Sequence, residues 1–545
     1  MIRRTERLGC VIRTLNDPKK ENGLHLMKTY VRVGHSVPSR GLICVVMAAL
    51  LVSSYSASSS EGGTKVQLPT FPQATGLPQV VLFGFDDRAF PFQNLVQTHL
   101  IPGRNPKVVL RHGPEGSHDE VLLYYGTVIR IGDTFHLWYN GNYGPLANNI
   151  GYERVNCCIC YATSRDGVTW VKPELGLVEF KGSKKNNIVD LAAPDLWSTF
   201  AVLHDKEEPD ANRRFKAAYE ARIDGQLRFC VAFSPDGLHW TPSAKNPVGP
   251  FLEMAGVTKH RGLYYVNGQT LGHRPVVARR LVTFASADFE TWSACGAVGL
   301  DRSPNVSGTS TEGNFSEYEE VHLGAALWNR GNVMLGIYGQ WHGHFSGDRR
   351  LVVMDLGLAL THDAVHYYEP IPSFRFIPAR EQPESPGAVG PALEQGQGME
   401  NVGNQTLYWY SLWRGTEGSG IRMVTWPRDR LGMLKPFRSG NPQTISCPIR
   451  VEQGVAKVYV NASGLNKNSQ LRLSLLDQGF RPIPGFSGGE SAVLSEDGYR
   501  LPIRWPGGDS LLPPQGLVRF QVDFGGMRPE DGALHAIYVG EVDSW

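Results

Sequence analysis

The chain has 545 residues, 54 Lys and Arg against 52 Asp and Glu, and a formal net charge of +2. That balance excludes the basic face of a nucleic-acid binder and a polybasic attraction to anionic membranes. With 61 Gly, 36 Pro and 10% aromatic residues, and few capped 3.6-period apolar runs, the composition describes an all-β chain of short strands and tight turns.

In chain order, the first element is the apolar run GLICVVMAALLV (41–52), preceded by Lys28, Arg32 and Arg40 and followed by SSYSASSSEGG. A cationic flank, a short apolar core and small residues after it form an export signal. The run falls short of the roughly 20 apolar residues needed to span a bilayer. Residues 1–60 are therefore expected to be signal peptide and leader, with Met27 as an alternative start and cleavage among Ser54–Ser58. The mature chain would be periplasmic or extracellular, with no membrane contact after signal removal.

Beyond the leader, one local pattern recurs: SRDGVTW (164–170), SPDGLHW (234–240), SADFETW (286–292) and THDAVHY (361–367). Alternating apolar runs precede the copies, among them FHLWYNG, FKAAYEA, LYYVNGQ and VMLGIYGQ. A fifth run, TLYWYSLW, leads to the degenerate copy WPRDRLGML. Each Asp is placed to accept backbone N–H groups within a turn, and each aromatic to pack between neighbouring sheets. Repeated units of several strands predict a five-bladed β-propeller over residues 78–440, with Trp170, Trp240 and Trp292 buried between blades. On this reading Asp166 and Asp236 are scaffold. Alternation in AKVYVNASG, QLRLSLLD, LVRFQVDFG and ALHAIYVGE, separated by turn residues, predicts a C-terminal β-sandwich over 443–545.

Six cysteines follow the leader: Cys157, Cys158, Cys160, Cys230, Cys295 and Cys447. There is no C-x-x-C pair and no His at zinc-ligand spacing, so no metal is expected. Cys158 and Cys160 share one face of a strand, and these thiols read as small core residues.

In a propeller, residues just before the first strand and just after the second strand of each blade lie at one face. After second strands come Asn140 and Asn142, Glu220 and Arg222, Asn267 and Gln269, Trp341 and His342, then Trp413 and Arg414. Such a ring of amides, cations and aromatics suits a polyhydroxylated ligand; Asn142, Gln269, Trp341, His342 and Arg414 are the expected substrate-binding residues. The carboxylates read as lying before first strands are Asp119, Asp195, Glu253, Glu319, Glu320 and Glu400. Cleaving a glycosidic bond needs one carboxyl to protonate the leaving oxygen and another to attack or to activate water.

The short turn S-x-D-x-x-x-W, with Trp six residues after Ser, resembles that of glycoside hydrolase families 43, 32 and 68. It differs from the sialidase-type box, whose Trp comes one residue later. YATSRDGVTWVKPELGLVEFKGSKKNNIV, MDLGLALTHDAVHYYEPIPSFRFIP and QGQGMENVGNQTLYWY are similar to exported bacterial glycosidase-like proteins. The resemblance covers most of residues 100–540. It implies a five-bladed propeller, here with a following sandwich as in family 32, acting on a carbohydrate without a cofactor, although related propellers sometimes hold a tunnel calcium. It also implies an Asp of the first blade as base or nucleophile and a later Glu as acid. By position these are Asp119 and Glu319, with Glu320 as the alternative acid and Asp195 or Glu253 as a third carboxylate. The chain lacks W-M-N-D-P-N-G and R-D-P motifs, so the resemblance does not extend to fructan substrates. The reading is an exported glycoside hydrolase, with a non-catalytic carbohydrate-binding propeller as the alternative. Nothing in the sequence sets the sugar, the linkage or an oligomeric state.

Overall fold

The computed structural model describes residues 79–144, 156–192, 196–269, 279–302, 319–344, 351–381, 391–412, 420–438, 440–451, 457–506, 514 and 516–540. All of them belong to one unit, Pro69–Trp545. The expected signal and leader lie outside the described residues, as do Asp195, Trp413 and Arg414. No helix among the described residues is long and apolar enough to cross a membrane.

The chain is all-β. Five antiparallel four-strand units follow one another. Unit one is Leu122–Ile131, Thr134–Tyr143, Asn156–Ser164 and Trp170–Val171. Unit two is Leu196–His204, Phe215–Ile223, Gln226–Ser234 and His239–Pro242, with the short Asp190–Leu191 added in parallel beside the last as a fifth strand. Unit three is Glu253–His260, Leu263–Gln269, Leu281–Ser286 and Ala297–Leu300. Unit four is Glu319–Asn329, Met334–His342, Val353–Thr361 and Tyr367–Tyr368. Unit five takes Leu393–Val402, Gln405–Leu412 and Gly420–Pro427, and its fourth strand is the early segment Arg104–Arg111. A single parallel pair, Gln397 with Thr127, joins units five and one into a continuous eight-strand sheet.

The first strands of the five units touch one another in cyclic order, from unit one through unit five and back to unit one. Amide side chains stitch them together. The Gln397 side chain accepts from Val257 N at 2.5 Å and donates to the Val202 carbonyl at 3.0 Å. Asn267 exchanges two hydrogen bonds with the backbone of Ala325, at 2.7 and 2.9 Å. Every first strand also carries a register shift against its partner, after Tyr124, Leu196, Met254, His322 and Gln395. Such bulges turn a strand and re-aim its side chains.

The repeated turns behave as the sequence predicts. In the first, Asp166 Oδ1 accepts from Val168 N and Thr169 N at 2.8 and 2.7 Å, while Ser164 Oγ accepts from Gly167 N at 2.9 Å. The aspartate contacts recur at Asp236, Asp288 and Asp363. Trp170 and Trp240 are buried. Trp292 is only partly buried, which corrects the expectation for the third copy. There the left-handed position held by Gly167 and Gly237 is Phe289, at φ +66°. Its ring fills the apolar slot against Tyr264 and holds Trp292 outward.

Two six-stranded sheets complete the chain and share one apolar core, with Val460 and Ile537 on one side and Leu473, Phe520 and Val522 on the other. They contain the strands read in the C-terminal segment. They also contain Gln79–Phe83, Phe92–Asn94, Val96–Leu100 and Gly432–Pro436. Residues 79–100, assigned from sequence to the 78–440 stretch, therefore pair with C-terminal strands, for example Leu82 with Ile537. Val80, Leu82 and Phe90 are fully buried there, so it is the shared core that draws the N-terminal segment in.

Candidate functional site

The N-terminal ends of three successive first strands carry glutamate in their first or second position: Glu253 in unit three, Glu319 and Glu320 in unit four, and Glu394 in unit five. Strand alternation sends Glu319 and Glu320 to opposite sides. Glu320 is fully buried, 3.6 Å from the Arg279 guanidinium. That guanidinium lies 4.6 Å over the buried ring of Trp341, and the ring stacks on His322. His322 Nδ1 is 3.4 Å from Glu394 Oε2. Glu253 is partly exposed and accepts a short hydrogen bond from the Gln269 amide, whose oxygen accepts from Leu323 N at 3.0 Å. Leu323 occupies the unit-four bulge at φ +62° although its side chain is fully buried. Backbone strain of this kind persists only where the surroundings over-determine it. Gln395 donates to the carbonyls of His322 and Gly324 at 2.7 and 3.0 Å, which ties unit five to the same bulge.

The electrostatics of this cluster are uneven. Burial pushes the Glu394 carboxyl well above the usual carboxylate range, and the negative charge of Glu253 pushes it further, with Arg279 opposing. Both causes favour the neutral, proton-bearing form of Glu394.

Of the residues singled out from sequence, Glu253, Gln269 and Trp341 belong to this cluster, as does Glu320, the alternative to Glu319. Asn142 is buried at the end of the second strand of unit one. Asp119 and Glu319 share no partner among the described residues. Asp119 is 1% exposed and ion-paired with Lys172 Nζ at 2.5 Å, and it accepts from Tyr139 OH at 3.0 Å. Burial would raise its pKa, but Lys172, then His118 and Tyr139, hold it below the ordinary carboxylate value. Glu319 is half exposed, 2.8 Å from His342 Nδ1 and 3.1 Å from Arg302. The far nitrogen of His342 meets Asp355 Oδ2 at 3.0 Å. Burial works against the imidazolium, but Asp355 and Glu319 on either side raise the His342 pKa.

Glu400, read as lying before a first strand, stands near the end of one instead and so opens to the opposite end of the ring. There a cavity of about 780 Å³ is lined by Arg130, Asp205, Lys259, His260 and Glu400 among others. Gln397 lies at its inner wall with both amide groups bonded to backbone. Sequence reading passed over Glu394. The available signal was its place: Glu253, Glu320 and Glu394 each occupy the first or second position of a first strand in three consecutive units.

No family model matches the chain, and no curated protein does. Solved structures with partial likeness include a glycosyl hydrolase of Bacteroides ovatus, 14% identical over 57% of this chain and 86% of that one, at a TM-score of 0.38. A structure described under "the GH130 family of mannoside phosphorylases", which contains glycoside hydrolases that target β-1,2 mannosidic linkages in Candida mannan, is 16% identical. It covers 57% of this chain and 86% of its own, at a TM-score of 0.36. The β-1,2-mannobiose phosphorylase of Listeria innocua is 11% identical over 62% and 97%, at 0.38. These neighbours are glycosidase-like, and the family named among them is GH130 rather than 43, 32 or 68. At such identities a likeness carries no activity across.

Proposed function

We propose that this chain is an exported carbohydrate-active enzyme built on a five-bladed β-propeller with an accompanying β-sandwich, and that it cleaves glycosidic bonds at the glutamate cluster of units three to five. The propeller reading is supported by five four-strand units whose first strands touch cyclically, and by closure of the fifth unit with the early strand Arg104–Arg111. Export is supported by the apolar run 41–52 and its flanks. N-terminal sequencing of secreted protein should begin among Ser54–Ser58, and a start at Met1 or Met27 would refute cleavage.

One observation carries the activity: Glu253, Glu320 and Glu394 stand at the same ends of three successive first strands, with Glu394 fully buried and Glu253 partly exposed. Burial and the Glu253 charge favour the proton-bearing form of Glu394, a departing glycosidic oxygen requires a proton, and Glu253 is the partly exposed member. Its carboxylate works on the anomeric carbon or on the incoming acceptor. Glu320 fixes Arg279 over the buried Trp341 ring, and this stack backs the cluster from inside. Asp119 and Glu319 serve the frame around the site through their ion pairs.

The test is product analysis with a panel of oligosaccharides, with and without inorganic phosphate. Release of free sugar identifies hydrolysis, and a sugar phosphate formed only with phosphate identifies phosphorolysis. Glu253→Gln and Glu394→Gln should each lower turnover by about 10²–10⁴. Turnover by both variants at the wild-type rate would overturn the assignment. Binding of the same sugars by the wild-type chain with no turnover would favour the non-catalytic reading.

A further inference from the structure

Behind Asp119 lies a set of groups that the glutamate cluster does not use. Cys158 and Cys160 point to the same side of Asn156–Ser164, their sulfurs 3.6 Å apart. Cys160 is fully buried and Cys158 partly so. Cys160 lies beside His118, which favours its thiolate, and His118 Nε2 meets Asn187 Oδ1 at 2.7 Å. The orientation of Asn187 is set by its amide nitrogen, which donates to the Tyr161 carbonyl at 2.7 Å and to Tyr139 OH at 2.8 Å. Its oxygen can therefore only accept, so Nε2 of His118 carries a hydrogen and, in the neutral ring, Nδ1 is the nitrogen left to take a proton. Thiol, imidazole and amide stand in series, each oriented by the next, which is the arrangement that activates a sulfur nucleophile. Opposite Cys158 in the strand register stands Gly141. A Cβ there would lie 2.6 Å from the Cys160 sulfur and 3.0 Å from Asp119 Cβ, so glycine leaves the room the two sulfurs occupy.

We infer that Cys158 and Cys160 form a redox-active dithiol, which undergoes thiol–disulfide exchange with small-molecule disulfides. This inference is independent of the proposed carbohydrate activity. Cys160 starts as the thiolate, its proton already given to solvent; the sulfur of partly exposed Cys158 bonds to one sulfur of the disulfide RSSR while its own proton passes to Cys160, and the first RS⁻ leaves and is protonated by solvent. His118 then takes the proton from Cys160, whose sulfur attacks that of Cys158. The Cys158–SR bond breaks, and the second RS⁻ leaves with the proton from His118. Two thiols are oxidised to one disulfide, and one RSSR is reduced to two RSH. The sulfur–sulfur distance must close to about 2.05 Å, a shift within reach of adjacent same-face residues. Burial would raise the Cys160 thiol, but its bonds to Cys158 and His118 bring it down to about 7, while Cys157 and Cys158 are held above the ordinary range. The buried member is thus the resolving thiolate.

The experiment incubates the full chain with glutathione disulfide, then alkylates and maps thiols by mass spectrometry, with the exposed Cys295 as an internal monitor of reagent. Expected is loss of alkylation at both Cys158 and Cys160, with a peptide two mass units lighter and no attached glutathione. Cys160→Ser should trap glutathione on Cys158. His118→Gln should slow ring closure about tenfold by lowering the thiolate fraction, with circular dichroism showing whether it folds. The inference is overturned if Cys295 reacts while Cys158 and Cys160 stay alkylatable. Pairing of Cys157 with Cys158, or reaction only after unfolding, overturns it equally.

Discussion

Glu394 is a fully buried carboxyl with a second glutamate beside it, and both facts favour its neutral form. The sign of the consequence for stability is definite. A carboxyl whose folded pKa is raised ionises first in the unfolded chain, near 4.3. Its contribution to stability is present below that value and is lost as pH rises toward the folded pKa. Glu394→Gln removes the ionisation and keeps the shape. The variant should therefore gain stability relative to wild type as pH rises above about 4.3, while losing turnover; urea midpoints at a series of pH values measure the first. A variant whose stability falls in step with wild type from pH 5 to 8 would mean that Glu394 is not held neutral. The four turn aspartates carry the opposite sign. Burial opposes it, but backbone N–H donors bring Asp166 and Asp288 down to about 2. Their contribution is present above about 3.9 and fades as pH falls through 2, so Asp166→Asn should flatten the acid limb of the stability curve.

At the scale of the element, the turn links neighbouring units as well as the strands of its own. Trp138 of unit one donates its indole N–H to the Gly237 carbonyl of unit two at 2.7 Å, and Trp409 of unit five does the same to Gly167 of unit one at 2.8 Å. Gly237 has φ +78°, and a Cβ there would lie 2.6 Å from Trp138 Cζ2. Gly237→Ala thus combines left-handed backbone with a clash against a fully buried indole, and should cost about 2–4 kcal/mol in chemical denaturation. Gly225 has nearly the same φ, +75°, in open space. Gly225→Ala should cost only the backbone term, about 1–2 kcal/mol. Equal losses in the two variants would show that the indole contact adds nothing.

At the scale of the molecule, one buried aspartate gathers distant parts of the chain. Asp429, in the degenerate fifth turn, binds Arg330 of unit four at 2.5 and 3.3 Å. It also accepts from Asn401 of unit five at 3.0 Å and from Tyr538 of a C-terminal strand at 2.8 Å. The Arg330 guanidinium lies over Trp328 at 4.4 Å and Phe83 at 5.6 Å. Burial would raise the Asp429 pKa, but Arg330 outweighs it and holds the carboxylate ionised. Asp429→Ala strands the arginine inside the protein, and breaking a buried pair on one side costs about 3–5 kcal/mol. Double replacement of Arg330 by Met and Asp429 by Ala should recover part of that loss. A single variant as stable as wild type would show that the hub contributes nothing.

Composition, the Ser/Thr-x-Asp turns and the alternating runs were enough to determine an all-β chain of repeated multi-strand units, because those features act over a few residues. A carboxylate capping its own turn needs no partner from elsewhere. What lies at the mouth of the ring was decided by tertiary structure. Counting along the strand cannot tell that Glu320 turns in toward Arg279 while Glu319 turns out toward His342 and Arg302, because each depends on a partner from another segment. Nor does position in the sequence distinguish Glu394 from Glu400, six residues apart at opposite ends of one strand. The bulges in all five first strands also shift the side-chain alternation on which such counting rests. Asp119 has the chain position of a first-unit acid, and its ion pair with Lys172 is a partnership reached only by folding. Local hydrogen bonds are written in neighbouring residues; the electrostatics of a converging site depend on distances that exist only once the ring has closed.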